Sequence, residues 1–339
     1  MTDISKLDEA GLEDLLSEPS EATKRALARL DGDIAVLGAG GKMGPTLAIM
    51  LRKAAGDKEI YAVSRFSDDA GRNRMEAAGV KTIAADLLDE SAYSRLPKAP
   101  NVFYLAGMKF GSAGNQSLTW AMNSFMPALV ARHYRDARIV AFSTGNVYPL
   151  VDADGRGANE QTIPEPIGEY AQSCLGRERM FEYFSQVNGT PATLIRLNYA
   201  NEPRYGIIVD LTLKILHDEP VDLTMGAVNL IWQRDANDYI IRSMTLAESP
   251  PMVLNVTGPD VVPVRRLTEM IAKEAGKEPQ FVSRPSSTAL LSDASRCIGL
   301  FGRPRMPLEQ MVSMIVRWVA SGGKILNKPT KYDIRNGRF

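Results

Sequence analysis

Short apolar runs recur along the first part of the chain, at residues 34–37, 59–63, 81–85, 101–105, 138–142 and 192–196. The first five break at or near glycine, serine or an acid before apolar positions resume at helical spacing, as Leu47, Met50 and Leu51 do after the first run. Runs of this length predict six buried strands, and the segments between them predict amphipathic helices. Regular strand–helix alternation predicts an α/β fold, a Rossmann-type doubly wound parallel sheet with helices on both faces, over residues 32–200. Ligands of such sheets sit beyond the carboxyl ends of the strands, so those ends are where chemistry is to be sought.

The flanks read differently. Residues 1–31 form an N-terminal helical extension, with apolar positions at Ile4, Leu7, Leu12, Leu15 and Leu16, then Ala26, Leu27 and Leu30, and weak points at Gly11 and Pro19. It is expected to pack outside the nucleotide domain as scaffold or dimer contact. Residues 201–339 lose the regular alternation and carry Pro203, Pro220, Pro250, Pro251, Pro259 and Pro263. They predict a smaller, mixed α/β substrate-binding lobe with a strand at 253–257, a helix at 264–275 and an extended tail over the last ten residues. Sheet and lobe segments are free to interleave.

Composition narrows the partners. Lys plus Arg and Asp plus Glu both total 40 in 339 residues, so nothing marks a nucleic-acid or anionic-membrane surface. The two cysteines, Cys174 and Cys297, have no metal-binding spacing, and His133 and His217 fall in predicted helices as surface residues. The first thirty residues lack the apolar core of a signal peptide, and no run reaches the roughly eighteen apolar residues of a membrane span. A soluble cytoplasmic protein is the expectation.

Gly38, Gly41 and Gly44 give a G-x-x-G-x-x-G turn between the first strand and the first helix, with Lys42 and Met43 inside it. Strand, glycine turn and helix suit a dinucleotide, because backbone amides must come close to a pyrophosphate and the helix end offers free N–H groups and positive charge to the same anion. The second strand ends in Ser64-Arg65 instead of a carboxylate. A hydroxyl and a guanidinium there favour the 2′-phosphate of NADP, with NAD second, although Arg65 also reads as a solvated surface residue. Asp86, followed by Leu87, is placed to accept from an adenine amino group or to cap the segment at 89–93.

Beyond the fourth strand the sequence resembles the extended short-chain dehydrogenase/reductases, the NAD-dependent epimerase/dehydratase family. Phe103-Tyr-Leu-Ala-Gly-Met-Lys-Phe-Gly111 is similar to the family's stretch after that strand, Asn123 matches its asparagine in the next helix, and Ser143-Thr-Gly-Asn-Val-Tyr148 is similar to Ser-Ser-x-x-Val-Tyr. Tyr170 follows at a family-like interval. The resemblance covers roughly residues 33 to 320. It implies that Leu105, Ala106, Gly107, Asn123 and Tyr170 join the glycine turn at the cofactor, that Thr144 occupies the catalytic hydroxyl position, and that the protein is a homodimer through residues 122–134 and 170–184.

One departure bears on the reaction. The family reads Tyr-x-x-x-Lys, whereas this chain reads Tyr170-Ala-Gln-Ser-Cys174. A lysine four residues on shares a helix face with the tyrosine, binds the nicotinamide ribose and lowers the phenol's pKa; cysteine does neither well, and an unassisted phenol is a poor base at neutral pH. Several accounts follow. Lys109 or Arg177 supplies the charge; a neutral Tyr170 donates its proton in the reductive direction; Cys174 is itself a nucleophile or a small packing residue; or the protein binds cofactor without turnover.

For the substrate, the resemblance points to Lys109, Asn146, Tyr148 and Asn198, with Arg204 and Tyr205 beyond. Arg204 and Arg234 are candidates for a diphosphate clamp; Arg234 and Asp235 also read as a structural ion pair and helix cap ahead of a helix from Asp238 towards Leu246. The expected function is an NAD(P)-dependent oxidoreductase or epimerase acting by hydride transfer on a sugar, nucleotide-sugar or polyol/carbonyl compound. The alternative is a non-catalytic NAD(P)-binding sensor or partner subunit.

Overall fold

A computed structural model of the chain describes residues 7–67, 69–109, 111 and 114–338, so Ile4 of the predicted extension and Phe110 of the quoted motif lie outside the described residues. Its centre is a seven-stranded sheet. The strands are β1 (Ile34–Leu37), β2 (Ile60–Ser64), β3 (Lys81–Ala84), β4 (Asn101–Tyr104), β5 (Arg138–Thr144), β6 (Ala192–Leu197) and β7 (Met252–Val256). They lie in the order β3-β2-β1-β4-β5-β6-β7 and all pair in parallel, with Ile34 opposite both Ile60 and Asn101. Chain order reverses between β1 and β4, which opens the crevice where doubly wound sheets hold their ligands.

The helices are α1 (Glu9–Leu16), α2 (Glu21–Leu27), α3 (Gly44–Ala54), α4 (Asp69–Ala77), α5 (Gln116–Trp120), α6 (Met126–His133), α7 (Gly168–Asn188), α8 (Ile207–Leu216), α9 (Gln233–Ser243), α10 (Val264–Ala275), α11 (Ser295–Phe301) and α12 (Leu308–Ala320). Between α5 and α6 one π-helical turn, Ala121–Phe125, carries Asn123 inward. Among the described residues, no helix is long and apolar enough to cross a membrane, and no group of three or more His, Cys, Asp or Glu is gathered as a metal site.

Five predicted strands match the observed ones to within a residue at either end, and β5 runs two residues further, to Thr144, because its carboxyl end stays buried. The strand expected in the lobe belongs to the sheet: Met252–Val256 pairs with Thr193–Leu197 as its edge. Helix α9 likewise starts at Gln233, five residues earlier than expected, and packs on α2 and α3 beside the nucleotide unit. Its early start follows from burial of Gln233, Ala236, Asn237 and Ile240 against that unit.

The N-terminal extension joins both bodies. Leu27 and Leu30 enter the core around β1 and α3, while Leu12 and Leu16 enter the lobe's core with α8, α10 and α12. The tail is packed as well: Tyr332 is buried and Arg335 donates to the carbonyl of Thr288. It returns over the lobe and does not trail from it.

Candidate active site

The glycine turn is shaped by close approach. Gly38 has φ +87°, and a Cβ there would lie 2.5 Å from the Ala106 nitrogen. A Cβ on Gly44 would meet the Ala39 carbonyl at 2.2 Å, so the third glycine lets α3 seat against the turn. Gly41 is different, since its Cβ would come no nearer than 3.4 Å to Gly38 O. What it faces is a cleft lined by Gly38, Gly40, Gly41, Ser64, Arg65, Asp86, Leu87, Leu105, Ala106 and Gly107. The α3 N-terminus has no side-chain cap, although Gly44 N donates to Gly41 O and Pro45 has no N–H, so its positive end would face a bound anion with few free donors of its own. A cradle that added Cβ atoms would fill, a bare helix end and Ser64-Arg65 at its far wall fit a dinucleotide.

Of the cofactor residues expected from sequence, Gly38, Gly41, Ser64, Arg65, Asp86, Leu87, Leu105, Ala106 and Gly107 therefore come together. Asp86 accepts from the Leu88 backbone nitrogen at 3.0 Å, which orients its carboxylate at the rim; the cap of the following segment is Asp89. Asn123 sits below the cleft. Its Oδ1 accepts from Met108 N (2.7 Å) and Arg177 Nη2 (2.8 Å), and its Nδ2 donates to Met108 O and Ser173 Oγ. It pins the loop after β4 to α7 and does not line the cleft.

A second cleft continues at the ends of β5 and β6. Its walls include Lys42, Met43, Lys109, Ser143, Thr144, Asn146, Tyr170, Asn198, Tyr205 and Thr330. Thr144 Oγ1 accepts from Asn146 N (3.2 Å) and Nδ2 (3.0 Å), and it is hydrogen-bonded to the Tyr170 hydroxyl. Tyr170, third residue of α7, also meets the Cys174 thiol one turn on. Burial first, and Cys174 second, push the Tyr170 phenol well above its ordinary value, against the pull of Arg177 and the Thr144 hydrogen bond. The phenol is therefore a neutral donor at physiological pH.

Cys174 is fully buried, and burial raises its thiol pKa despite Arg177. A buried, protonated thiol is a packing group and not a nucleophile. Both cations considered from sequence stand beside it. Arg177 lies under the cleft, donating to Phe142 O (2.9 Å) and Asn123. Lys109 Nζ is 5.9 Å from the centre of the Tyr170 ring and donates to Thr330 O at 3.2 Å; burial brings its pKa down to about 8.

Lys42 leaves the glycine turn sideways and crosses to the second cleft. Its ammonium donates to Ala200 O at 2.8 Å and stands 3.9 Å above the centre of the Tyr205 ring. Burial lowers its pKa to about 7, with Glu202 resisting and Lys109 adding to the fall. Asn198 is buried on the same wall, and its Nδ2 donates to no group among the described residues.

Three expected substrate contacts lie elsewhere. Tyr148 is buried behind the wall, where its hydroxyl donates to Asn255 Oδ1 (2.8 Å) and accepts from Arg196 Nη1 (2.9 Å). Arg204 is held by Glu202 and by Glu13 of α1. Arg234 sits in α9 near Arg305, Asp235, Asp238 and Glu18, and Asp235 pairs with Arg305 and the Met306 nitrogen instead of with Arg234. The diphosphate clamp of Arg204 and Arg234 is not supported, because Arg204 is held by Glu13 and Glu202 while Arg234 sits on α9. Thr330 was not foreseen at the cleft, and nothing in the local spacing of the tail marks it.

No protein-family model matches the chain, and no curated protein matches it in sequence. Solved structures do match. A UDP-galactose 4-epimerase aligns at TM-score 0.69 and 21% identity, over 86% of this chain and 99% of its own. MoeE5 in complex with UDP-glucuronic acid and NAD aligns at 0.70 and 20%, over 86% and 100%. The UDP-glucuronic acid 4-epimerase of Bacillus cereus, in complex with UDP-glucuronic acid and NAD, aligns at 0.73 and 16%, over 85% and 99%. The chain thus has the fold of the UDP-sugar 4-epimerases, the extended short-chain dehydrogenase/reductase architecture expected from its sequence.

Proposed function

We propose that this chain is a nicotinamide-dependent oxidoreductase or epimerase-type enzyme acting on a sugar-like or related polyol/carbonyl substrate. The observation that carries the reading is the Thr144–Tyr170 hydrogen bond in the second cleft. The likeness to proteins solved with NAD supports it.

A bound nicotinamide supplies or accepts the hydride; the protein handles the proton. Thr144 holds the substrate oxygen and Tyr170 gives its phenolic proton to that oxygen as hydride reaches the carbon, leaving an alcohol. This suits the buried, protonated phenol, so reduction of a carbonyl is the favoured direction. Arg177 and Lys109 then stabilise the phenolate left behind, in the electrostatic role that the missing lysine would fill. Glycine turn, Asp86, Leu105 to Gly107 and the Ser64-Arg65 wall hold the cofactor. NADP is the first choice, because Arg65 is exposed at the cleft, where its guanidinium suits a 2′-phosphate.

The burial of Cys174 where a lysine would serve is the observation behind the second reading, a cofactor-binding sensor without turnover. Titration calorimetry with NADP, NADPH, NAD and NADH, followed by a carbonyl screen on wild type and Tyr170→Phe, decides between them. Turnover lost in Tyr170→Phe with cofactor affinity kept supports the enzyme; cofactor binding with no turnover of any carbonyl supports the sensor; no binding of any of the four removes both.

We also propose a homodimer. Trp120, Phe125, Tyr183 and Val187 are large and exposed on α5, the π turn and α7, and pairing that face between two copies would bury them. A monomeric mass by light scattering at micromolar concentration would remove this assembly.

A further inference from the structure

Residues 324–338 return over the lobe, and one of them, Thr330, lines the second cleft, with anchors on either side of it. Leu326 N donates to Arg204 O at 2.9 Å. Thr330 donates twice to the Asp210 carboxylate of α8, through its nitrogen at 2.8 Å and through its hydroxyl. Its carbonyl accepts from Lys109. Arg335 fastens to Thr288 through carbonyl and hydroxyl, at 2.7 and 2.6 Å. Beyond it, Gly337 packs on the first residue of α7: a Cβ on Gly168 would fall 2.5 Å from Gly337 O. The strap thus joins the loop after β4, the start of the helix that carries Tyr170, and the lobe. What remains beneath it is about 170 Å³, well under the ~300–1,000 Å³ of clefts that take drug-sized ligands.

The walls of this space are rich in donors. An ammonium has three N–H groups, and Lys42 uses one on Ala200 O with the Tyr205 ring face below; no carboxylate lies within ion-pair distance of it among the described residues. Asn198 Nδ2, buried on the same wall, donates to nothing among the described residues. A desolvated cation beside an unpaired amide is costly unless an acceptor with negative charge arrives. Both groups lie in the cleft that holds Thr144 and Tyr170.

We propose that the substrate is a compact, unlinked polyhydroxy anion, its charged group held by Lys42 and Asn198, and that the 324–338 strap excludes nucleotide-linked sugars. This rests on the oxidoreductase reading and narrows it. Thr330 of the strap lines the same space as Lys42, Thr144 and Tyr170, which leaves room there for a small molecule.

The test is binding to the full-length protein, by calorimetry with saturating oxidised cofactor and again without it, so no turnover is needed. The probes are D-gluconate and D-galacturonate as carboxylates, D-glucose 6-phosphate as a phosphate, D-sorbitol as a neutral polyol, and UDP-D-glucuronate. The expected result is that at least one compact anion binds tenfold or more tighter than sorbitol, that Lys42→Met removes this preference, and that UDP-D-glucuronate fails to bind at millimolar concentration. Arg335→Ala, which frees one anchor, is expected to admit the nucleotide sugar; if that variant does not fold, the wild-type panel decides alone. Binding of UDP-D-glucuronate to wild type as tight as that of the best compact anion, or no preference for anion over sorbitol, overturns the proposal. Loss of the oxidoreductase reading shows separately, as failure of the nicotinamide nucleotides to bind.

Discussion

Arg177 occupies the space that a side chain on Gly107 would need: a Cβ there would lie 2.2 Å from the guanidinium Nη2 and 2.8 Å from Asn123 Oδ1. The guanidinium cannot swing aside cheaply, because Phe142 O and Asn123 hold its two ends in a buried setting. Gly107→Ala is therefore expected to cost about 1–3 kcal/mol by overpacking and to weaken cofactor binding, since the same glycine lines the cofactor cleft. Urea denaturation and cofactor titration check it; unchanged values for both would mean that Arg177 is looser than its contacts indicate.

Restoring the lysine at position 174 is not expected to restore a conventional site. Cys174 is fully buried beside Tyr170, Arg177 and Lys109, and the nearby carboxylate, Glu178, is already paired with Arg196, so a third cation there is poorly compensated. Cys174→Lys should lower the melting temperature by several degrees and leave any activity at or below wild type. A gain in activity would show instead that the site is a retired form of the usual one.

Lys42 gives a pH dependence whose sign follows from its lowered pKa of about 7. Below pH 7 the lysine is charged in both folded and unfolded chains, and the folded state bears the full cost of burying the charge. Between about 7 and the ordinary value of ~10.4 the folded state has shed the proton while the unfolded state keeps it, so the cost shrinks as pH rises. Lys42→Met should thus raise the melting temperature by several degrees at pH 6 and by progressively less towards pH 10. A gain independent of pH would place the effect in packing alone.

Behind the cleft, Glu178 is fully buried against Arg196, with Nη2 to Oε2 at 2.7 Å and Nε to Oε1 at 3.0 Å, and Ser143 also donates to it. Arg196→Met would strand that carboxylate and is expected to cost about 3–5 kcal/mol, whereas Glu178→Leu with Arg196→Met should cost much less. Denaturant unfolding of the single and double variants measures the difference; equal losses would mean that packing, and not the stranded charge, dominates.

How far the chain could be read in advance depended on the distance over which each residue finds its partner. The strands and the glycine turn were legible because apolar runs and glycine spacing act within ten residues, and the cleft at Ser64-Arg65 and Asp86 followed from strand ends alone. Arg204 was misplaced because its partner Glu13 stands 191 residues away, and Tyr148 because Asn255 is 107 residues away. Thr330 escaped notice for the same reason: its partner Asp210 lies on α8, 120 residues back. Fold was written in local periodicity, whereas the division between lining and supporting residues was written in contacts that no window spans.

Because β7 arrives after the lobe's first helices, the sheet cannot be finished when the nucleotide-binding residues have all emerged from the ribosome. A nascent chain that has reached residue 200 still exposes the β6 edge, with Leu194 and Ile195 awaiting Val253 and Leu254. Some fifty more residues must be made before that edge is closed. The two bodies are therefore poor candidates for exchange with other proteins as separate cassettes, and a cut at residue 200 would produce a sticky fragment in place of a smaller cofactor-binding protein.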